Sequence, residues 1–585
     1  MKEYLFLFTI TPVQGFIEHS RKTQDLYAGS ALLTHLCREA AMIVQKDWRG
    51  EIIFPNIKLR SLPNRFLAMV KEENDSVLKK KGFALEAKLY EKLREILDYF
   101  LRFYGLSEPP QAWPQIKYYF QFYWLFEPVE KGYAETYKKI ENHLGQIKTR
   151  IFSPFKEERG RKCTLTGEHN ALFYKKSDES HKPRYLVEGA IEIDERIPVK
   201  YLAPGEALGA VAFLKRIVPK YFEDHGLESS AFGSSFPSTA RIASAVKLNM
   251  LSKIYPELAE LLKKKFNEVL LYELLNDNKP TEYETEDELE IAKKICEVLK
   301  KNKERLGPYY AVIIFDGDNM GTWLSGEKLK EDQKGKLRDF HQHLSSELAK
   351  FAYKAADKIL VPIKGATVYA GGDDFLGFVN INYLPSILKE LREEFEKIDL
   401  TKFSSEKLTF SMGVAISHYK TPLSETLQWA RRMEKEAKEV AYKDALSIVV
   451  LKRSGEIIKF RTKHRNSLGW FADQLQFLLD QLAYNFSTNF LRQFSREFIE
   501  FEGIMELENL DGMVESELGR LLTRSYIKDS SQTPSEKVET QLRNIAEMKS
   551  VLYNLYMEGN LKEFLGLLEV LSFLGREVEI DVVKN

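Results

Sequence analysis

The chain has 585 residues, 44% hydrophobic and 29% charged, which is too long for one core and implies about three to four globular domains. Lys plus Arg and Asp plus Glu both number 86, so no global positive field recruits nucleic acid, and such binding must come from local patches or partner subunits. Three distant cysteines, Cys37, Cys163 and Cys296, exclude a disulfide framework and fit a reducing cytoplasm, and no apolar run approaches the ~20 residues that span a bilayer.

Residues 4–11 read as a strand broken by Pro12. Lys2 and Glu3 precede it and no small-residue cleavage site follows, so it is not a signal peptide. A polar stretch holding Pro12-Val13-Gln14, Arg21-Lys22-Thr23, Asp25-Leu26 and Gly29-Ser30 leads into a helix that ends near Gln45. Arg21-Lys22-Thr23 reads either as a solvated helix face or as an edge that meets a nucleotide or partner. Strands are predicted over 51–54 and 66–71. An amphipathic helix over 84–104 puts Leu85, Leu89, Leu93, Ile96, Leu97 and Phe100 on one face, and an aromatic strand spans 116–126. The order is βαββαβ-like. The next stretch, 151–185, is polar. Cys163, His169 and His181 within it are three conceivable metal ligands, but no second cysteine lies near and zinc is not expected. Pro237-Ser238-Thr239 opens a helical linker running to about Arg305, with Ser238 or Thr239 suited to its N-cap, and 276–288 reads as an acidic exposed loop.

The second half carries the chemistry. An apolar strand pattern over 311–315 ends in Asp316 and Asp318, and a helical pattern follows. Two short strands, 368–370 and 375–379, then flank Gly371-Gly372-Asp373-Asp374. The glycines supply the positive φ a tight hairpin needs, and two adjacent carboxylates at an exposed tip repel each other unless a cation sits there. Alone, that tetrapeptide is equally an ordinary turn with solvated acids. In a compact βαββ unit, however, the end of the first strand lies beside the hairpin tip, so Asp316, Asp373 and Asp374 converge on a pair of ions. The first half repeats the pattern without the acids. Residues 62–70 align with 371–379, which puts Asn64 and Arg65 where the second copy has Asp373 and Asp374, and Thr9-Ile10-Thr11 where it has Asp316. The first copy therefore cannot hold two metals. Its amide and guanidinium suit a phosphate or base edge of a ligand held between the two units, although Arg65 facing solvent or pairing with an acid is the competing reading. Beyond Arg461 the apolar spacing of Leu475, Phe477, Leu478, Leu482 and Phe486, and of Leu552, Leu555, Leu561, Phe564 and Leu568, predicts a helical bundle.

Together these stretches resemble nucleotidyl-cyclase-type palms related to GGDEF diguanylate cyclases. Residues 408–415 match the strand after the hairpin, and 430–438 match the helix ending in a phosphate-binding Lys. Gly-Gly-Asp-Asp in a chain of this length, with the amino-terminal motifs above, is similar to the large palm-containing subunit of type III CRISPR effector complexes, Cmr branch. The resemblance implies an α+β chain with two ferredoxin-like palms: a non-catalytic one over 1–220 and a catalytic one over 308–458, joined by a helical linker over 221–307 and followed by a bundle over 459–585. It implies two Mg²⁺ or Mn²⁺ ions on Asp316, the Gly317 carbonyl, Asp373 and Asp374, and ATP contacts from Gly371, Gly372, Ser411 and Lys438. The implied activity is ATP polymerisation to cyclic oligoadenylate when a complex with crRNA and other effector subunits captures target RNA. The sequence contains no His-Asp dipeptide, so no HD-type nuclease is expected. A nucleotide-binding scaffold without catalysis and a diguanylate-cyclase-like enzyme are the alternatives.

Overall fold

The computed structural model describes residues 2–148, 155–177, 184–227, 236–280, 283, 285–501, 510–527 and 534–579. β1 (Lys2–Thr11) is buried on both faces from Tyr4 to Ile10, which makes it a central strand. α1 (Thr23–Lys46) follows, then β2 (Glu51–Phe54), β3 (Arg65–Glu72), α2 (Asp75–Phe103) and β4 (Gln121–Pro128). The sheet order is β2-β3-β1-β4, and every pairing is antiparallel, as in a ferredoxin-like palm.

Two elements depart from their sequence readings. α2 starts nine residues before the predicted 84: the Asn74 side chain caps it by accepting from the Ser76 amide at 3.0 Å. Gly82, which interrupts the apolar spacing, lies inside this helix because Trp124 covers it; a Cβ there would sit 2.4 Å from the indole. The expected strand over 116–126 begins only at Gln121, and Ala112–Tyr119 is a short helix. Buried Gln115 fixes it, donating to the Asn170 carbonyl at 3.0 Å and accepting from the Ala210 amide at 2.7 Å.

After α3 (Tyr133–Lys148), the polar segment forms a small sheet of β5 (Phe173–Tyr174), β6 (Ile191–Glu192) and β7 (Ala207–Leu208), ordered β6-β5-β7. Cys163 is buried in a tight turn, where its amide donates to the His169 carbonyl at 2.7 Å and Gly167 N–H donates to the Cys163 carbonyl at 2.9 Å. The His169 ring is 3.6 Å from Glu157, and His181 lies outside the described residues. α4 (Ala210–Asp224) then returns to pack on α1 and α2. The linker comprises α5 (Thr239–Ile254), a turn of helix at Pro256–Leu261, α6 (Glu268–Leu275) and α7 (Glu286–Lys301). Ser238 caps α5 by accepting from the Arg241 amide at 3.1 Å. Thr285 caps α7, so 286–288 of the expected acidic loop form that helix's first turn.

The second palm repeats the first. β8 (Tyr309–Gly317), α8 (Leu337–Lys354), β9 (Gly365–Ala370), β10 (Asp374–Asn380), α9 (Leu384–Glu396) and β11 (Phe410–His418) give the order β11-β8-β10-β9. α10 (Leu423–Lys438) crosses to β12 (Ala445–Leu451), parallel to β11, and β13 (Ile457–Lys463) closes that edge. Five helices end the chain: α11 (Phe471–Tyr484), α12 (Asn489–Phe498), α13 (Leu510–Ser525), α14 (Pro534–Met557) and α15 (Leu561–Glu577), the last lying on β13. No helix among the described residues is long and apolar enough to cross a membrane.

The palms pack against each other reciprocally, α1 on β9 and α8 on β2. Arg60 pairs with Asp357 at 2.7 Å, and Glu51 accepts from Arg338 at 2.5 Å and Gln342 at 2.8 Å. At the centre of this seam, fully buried His341 hydrogen-bonds the Tyr133 hydroxyl at 2.7 Å and the Leu324 carbonyl at 2.8 Å. Burial pushes the imidazole down to about 4, helped by the Arg65 charge. An imidazole held neutral in the fold binds its proton only on unfolding. The stabilisation is therefore complete above the unfolded value near 6.5 and is lost as pH falls from there toward 4. The wild-type melting temperature should drop across that window. His341→Gln should flatten the drop, and an unaltered pH profile would show that His341 does not carry it.

Candidate active site

Register brings the acids together. Asp374 is the cross-strand partner of Asp316, Ser411 pairs with Asp316 on the other side, and the Gly317 amide donates to the Asp373 carbonyl at 2.9 Å. The first palm reproduces this backbone without the charges: Arg65 pairs with Thr9, and the Ile10 amide donates to the Asn64 carbonyl at 2.8 Å. The hairpin needs both its glycines. Gly372 has φ +114°, and a Cβ on Gly371 would strike the Tyr369 hydroxyl.

The tip is not the exposed turn that its sequence suggests. Asp373 and Asp374 are half-buried in the seam between the palms. Burial and the Asp316 charge push Asp373 up to about 6. Burial and the Asp373 and Asp316 charges hold Asp374 well above the carboxylate range, and its Oδ1 is buried without a hydrogen-bond partner. Asp316 is 43% exposed and bonds the Lys438 ammonium, which also pairs with Glu434 at 2.7 Å. Burial opposes the Lys438 charge, but these two carboxylates keep its affinity for the proton above the usual value. Arg65 reaches over from the first palm close enough to favour the Asp373 charge, while its guanidinium is paired with Glu141.

Several residues assigned to ligand contact are placed as supports. Ser411 is 0% exposed, and its hydroxyl donates to Asp318 at 2.8 Å, so it lies beneath the acids rather than facing a ligand. The Asn64 amide donates to the Ile10 carbonyl at 3.0 Å and toward the Thr9 hydroxyl at 3.3 Å, within its own sheet. Arg21 and Lys22 precede α1 and Thr23 opens it: Arg21 pairs with Glu206 at 3.3 Å, and the Thr23 hydroxyl donates to the Pro237 carbonyl at 2.8 Å.

Asp318 has the support role that its sequence position left undefined. It is buried and accepts from the Thr409 and Ser411 hydroxyls at 2.8 Å and the Asp444 amide at 3.0 Å. Those bonds anchor residues 442–444, three consecutive positive-φ positions, which the bidentate Arg392–Asp444 pair at 2.8 and 2.9 Å also holds. Lys443, within this anchored turn, donates to the Asn319 side chain at 2.7 Å. Only a single Asp-x-Asp spacing hinted at this in the sequence.

The donor set suits hard divalent cations: three carboxylates from adjacent strand ends, two of them desolvated and mutually repelling, with backbone carbonyls alongside. Among the described residues, no three His, Cys, Asp or Glu side chains close on one point as they stand. The Lys438 ammonium bonds Asp316, the most exposed of the three acids.

Two face-to-face palms, only one bearing acids, define a paired-palm protein of the nucleotidyl-cyclase type. Residues 309–447 match the family model described as Cas10/Cmr2, second palm domain, and residues 5–98 match CRISPR-associated protein Cmr2, N-terminal. The chain is 26% identical to the CRISPR system Cmr subunit Cmr2 of Pyrococcus furiosus, over 77% of this chain and 62% of that protein's length. Its fold is shared with a chain of the type III-B Cmr-beta apo state, at TM-score 0.66 and 14% identity over 99% of this chain and 82% of that one. A chain of Cmr-beta bound to cognate target RNA gives 0.64 and 14%, over 98% and 83%. The chain thus carries a segment similar to the Cas10/Cmr2 second palm and one similar to the Cmr2 N-terminal domain, and it spans less than two thirds of the length of the curated relative it matches.

Proposed function

We propose that the chain is the nucleotide-polymerising subunit of a type III CRISPR effector complex and joins ATP into cyclic oligoadenylates when target RNA is captured. One observation carries the reading: in cross-strand register Asp316 lies against Asp374 with Asp373 beside them, and the first palm, which has Asn64 and Arg65 at the matching positions, brings the Arg65 charge to bear on Asp373. The family resemblance supports ATP and the cyclic product. The relative's name as a Cmr subunit and the Cmr-beta complex with target RNA support the partners.

Asp316, Asp373, Asp374 and the Gly317 carbonyl would hold two divalent ions, Mg²⁺ or Mn²⁺, which lower the pKa of the attacking hydroxyl and offset charge on the leaving group. A 3′-oxygen attacks the α-phosphorus, the bond to pyrophosphate breaks, and the hydroxyl proton leaves. Lys438 is the cation free to turn from Asp316 to the triphosphate. Arg65 faces this site from the other palm, where an acceptor nucleotide has to be held at near-attack distance. Incubation with labelled ATP or GTP, with and without complementary RNA and the other subunits, followed by product mapping, tests the reading. Cyclic adenylates support it, cyclic diguanylate replaces it, and bound but unconverted nucleotide reduces the chain to a scaffold.

The Arg65 assignment has its own outcome. Arg65→Ala should raise the apparent KM for ATP about tenfold, as loss of a charged hydrogen bond does, while Glu141→Ala, which frees the guanidinium, should not. Unchanged turnover and KM in Arg65→Ala would remove the first palm from substrate binding.

A further inference from the structure

A second cluster of cations lies at the opposite end of the catalytic sheet. Tyr309 begins β8 and Asp316 nearly ends it, so the two sheet ends are roughly 23 Å apart along the strand. Where the turn between β12 and β13 meets α12 and α15, a cleft of about 620 Å³ is lined by Arg453, Arg492, Arg496 and Arg576, with Ser495 and Ser572 among them. An adjoining hollow of about 380 Å³ shares Lys452 and Arg453 and adds His418 and Lys420.

These arginines differ from most others on the surface. Arg94, Arg196, Arg338, Arg432, Arg461 and Arg520 each have a carboxylate within 4.0 Å. Among the described residues, no such pair forms at Arg453, Arg492 or Arg496. Arg492 donates to the Ser572 hydroxyl at 3.3 Å, and Arg576 to the Ser572 carbonyl at 2.8 Å. Ser495 is 7% exposed, lines the same cleft, and its hydroxyl has no hydrogen-bond partner. The acids of the cleft do not cancel this excess: Glu456 is paired with Lys452 at 3.0 Å, which leaves Glu569 and Glu577 against four guanidiniums. Burial and the Arg453 and Lys420 charges push His418 down to about 4, an independent sign of a positive field reaching the second hollow.

From this geometry we infer a binding site for phosphate groups, distinct from the acid-lined seam. Guanidinium forks and an unpartnered hydroxyl around one hollow match a tetrahedral oxyanion with several acceptor oxygens. Among the described residues that line the cleft, the aromatics are Tyr309 and Phe573, which pack edge to face on each other at 4.8 Å, so recognition runs through phosphate and not sequence. In a chain of zero net charge, such a local patch is how an RNA backbone is held.

The full-length protein, titrated with a fluorescent single-stranded RNA of mixed sequence, tests this. Arg492→Glu with Arg496→Glu should weaken binding at least about tenfold at ~0.1 M salt and make the slope of log K against log salt shallower by ~1.4, two contacts' worth for a single strand. The neutral Arg453→Gln, on the opposite wall, should give a smaller loss in the same direction. Lys263→Glu with Lys264→Glu, on the linker surface, should give none. Inorganic tripolyphosphate as a second probe separates the sources. Loss for RNA alone assigns the site to a nucleic-acid backbone, and loss for both assigns it to a small phosphate ligand; each supports the inference. Unchanged binding of both probes, a loss confined to a polyglutamate peptide, or an equal loss in the linker control overturns it.

Discussion

Asp373→Asn with Asp374→Asn should cut nucleotide polymerisation roughly a thousandfold or more and, without divalent ions, should make the protein more resistant to heat. The two expectations have one cause. Both carboxyls are half-buried, burial raises their affinity for the proton, and each feels its neighbour and Asp316. In the free protein their negative charges are therefore a liability retained for function. The amides keep the shape of the tip and remove the repulsion. Mg²⁺ should raise the melting temperature of the wild type, because it binds the folded state alone, and should do little to the variant. Labelled ATP with Mg²⁺ or Mn²⁺ measures the first effect, and thermal melts with and without the ion measure the second. Undiminished product, or the same Mg²⁺ shift in both proteins, would remove these residues from the site.

The acids were legible in the sequence because strand and hairpin patterns fix where chain ends fall. A strand that ends at Asp316 and a Gly-Gly turn carrying Asp373 and Asp374 meet in any βαββ unit. The matching register of Arg65 with Thr9 and Asp374 with Asp316 shows the internal repeat at the level of single backbone pairs. What failed to show were properties set by distant chain. The tip looked exposed, since nothing local says that another palm covers it. Ser411 looked like a ligand contact, since the alternating pattern does not say that Asp318 waits beneath the sheet. Residues 116–119 looked like a strand because Tyr118 and Tyr119 favour one. Gln115, tied to Asn170 and Ala210 by tertiary bonds, decides otherwise.

The second large effect expected is on stability, at Arg216. The amino-terminal stretch from Pro12 to Asp25 has few apolar residues to pack, and it is held instead by charges on α4. Lys215, 2% exposed, donates to the Phe16 and His19 carbonyls, and burial lowers its affinity for the proton to about 8. Arg216 lies between Asp25 at 2.6 Å and Glu206 at 3.2 Å, all three buried. The Asp25 contact is ionic without a well-aligned hydrogen bond, so the arrangement depends on the guanidinium charge itself. Arg216→Met keeps the volume but leaves Asp25 buried without its guanidinium partner and Glu206 with only the exposed Arg21 as an ion-pair partner, which costs about 3–5 kcal/mol. Arg21→Ala removes a mostly exposed partner of the same Glu206 and should cost no more than about 1 kcal/mol. Calorimetry should therefore show the first-palm transition falling by several degrees in Arg216→Met and hardly at all in Arg21→Ala. The loss should also reach catalysis, because Glu18 in this stretch pairs with Arg431, two turns before Lys438 on α10. Polymerisation by Arg216→Met should fall at temperatures where the protein is still folded. A melting profile indistinguishable from wild type would show that the buried charges do not hold this segment, and normal activity beside a lowered transition would cut its link to Lys438.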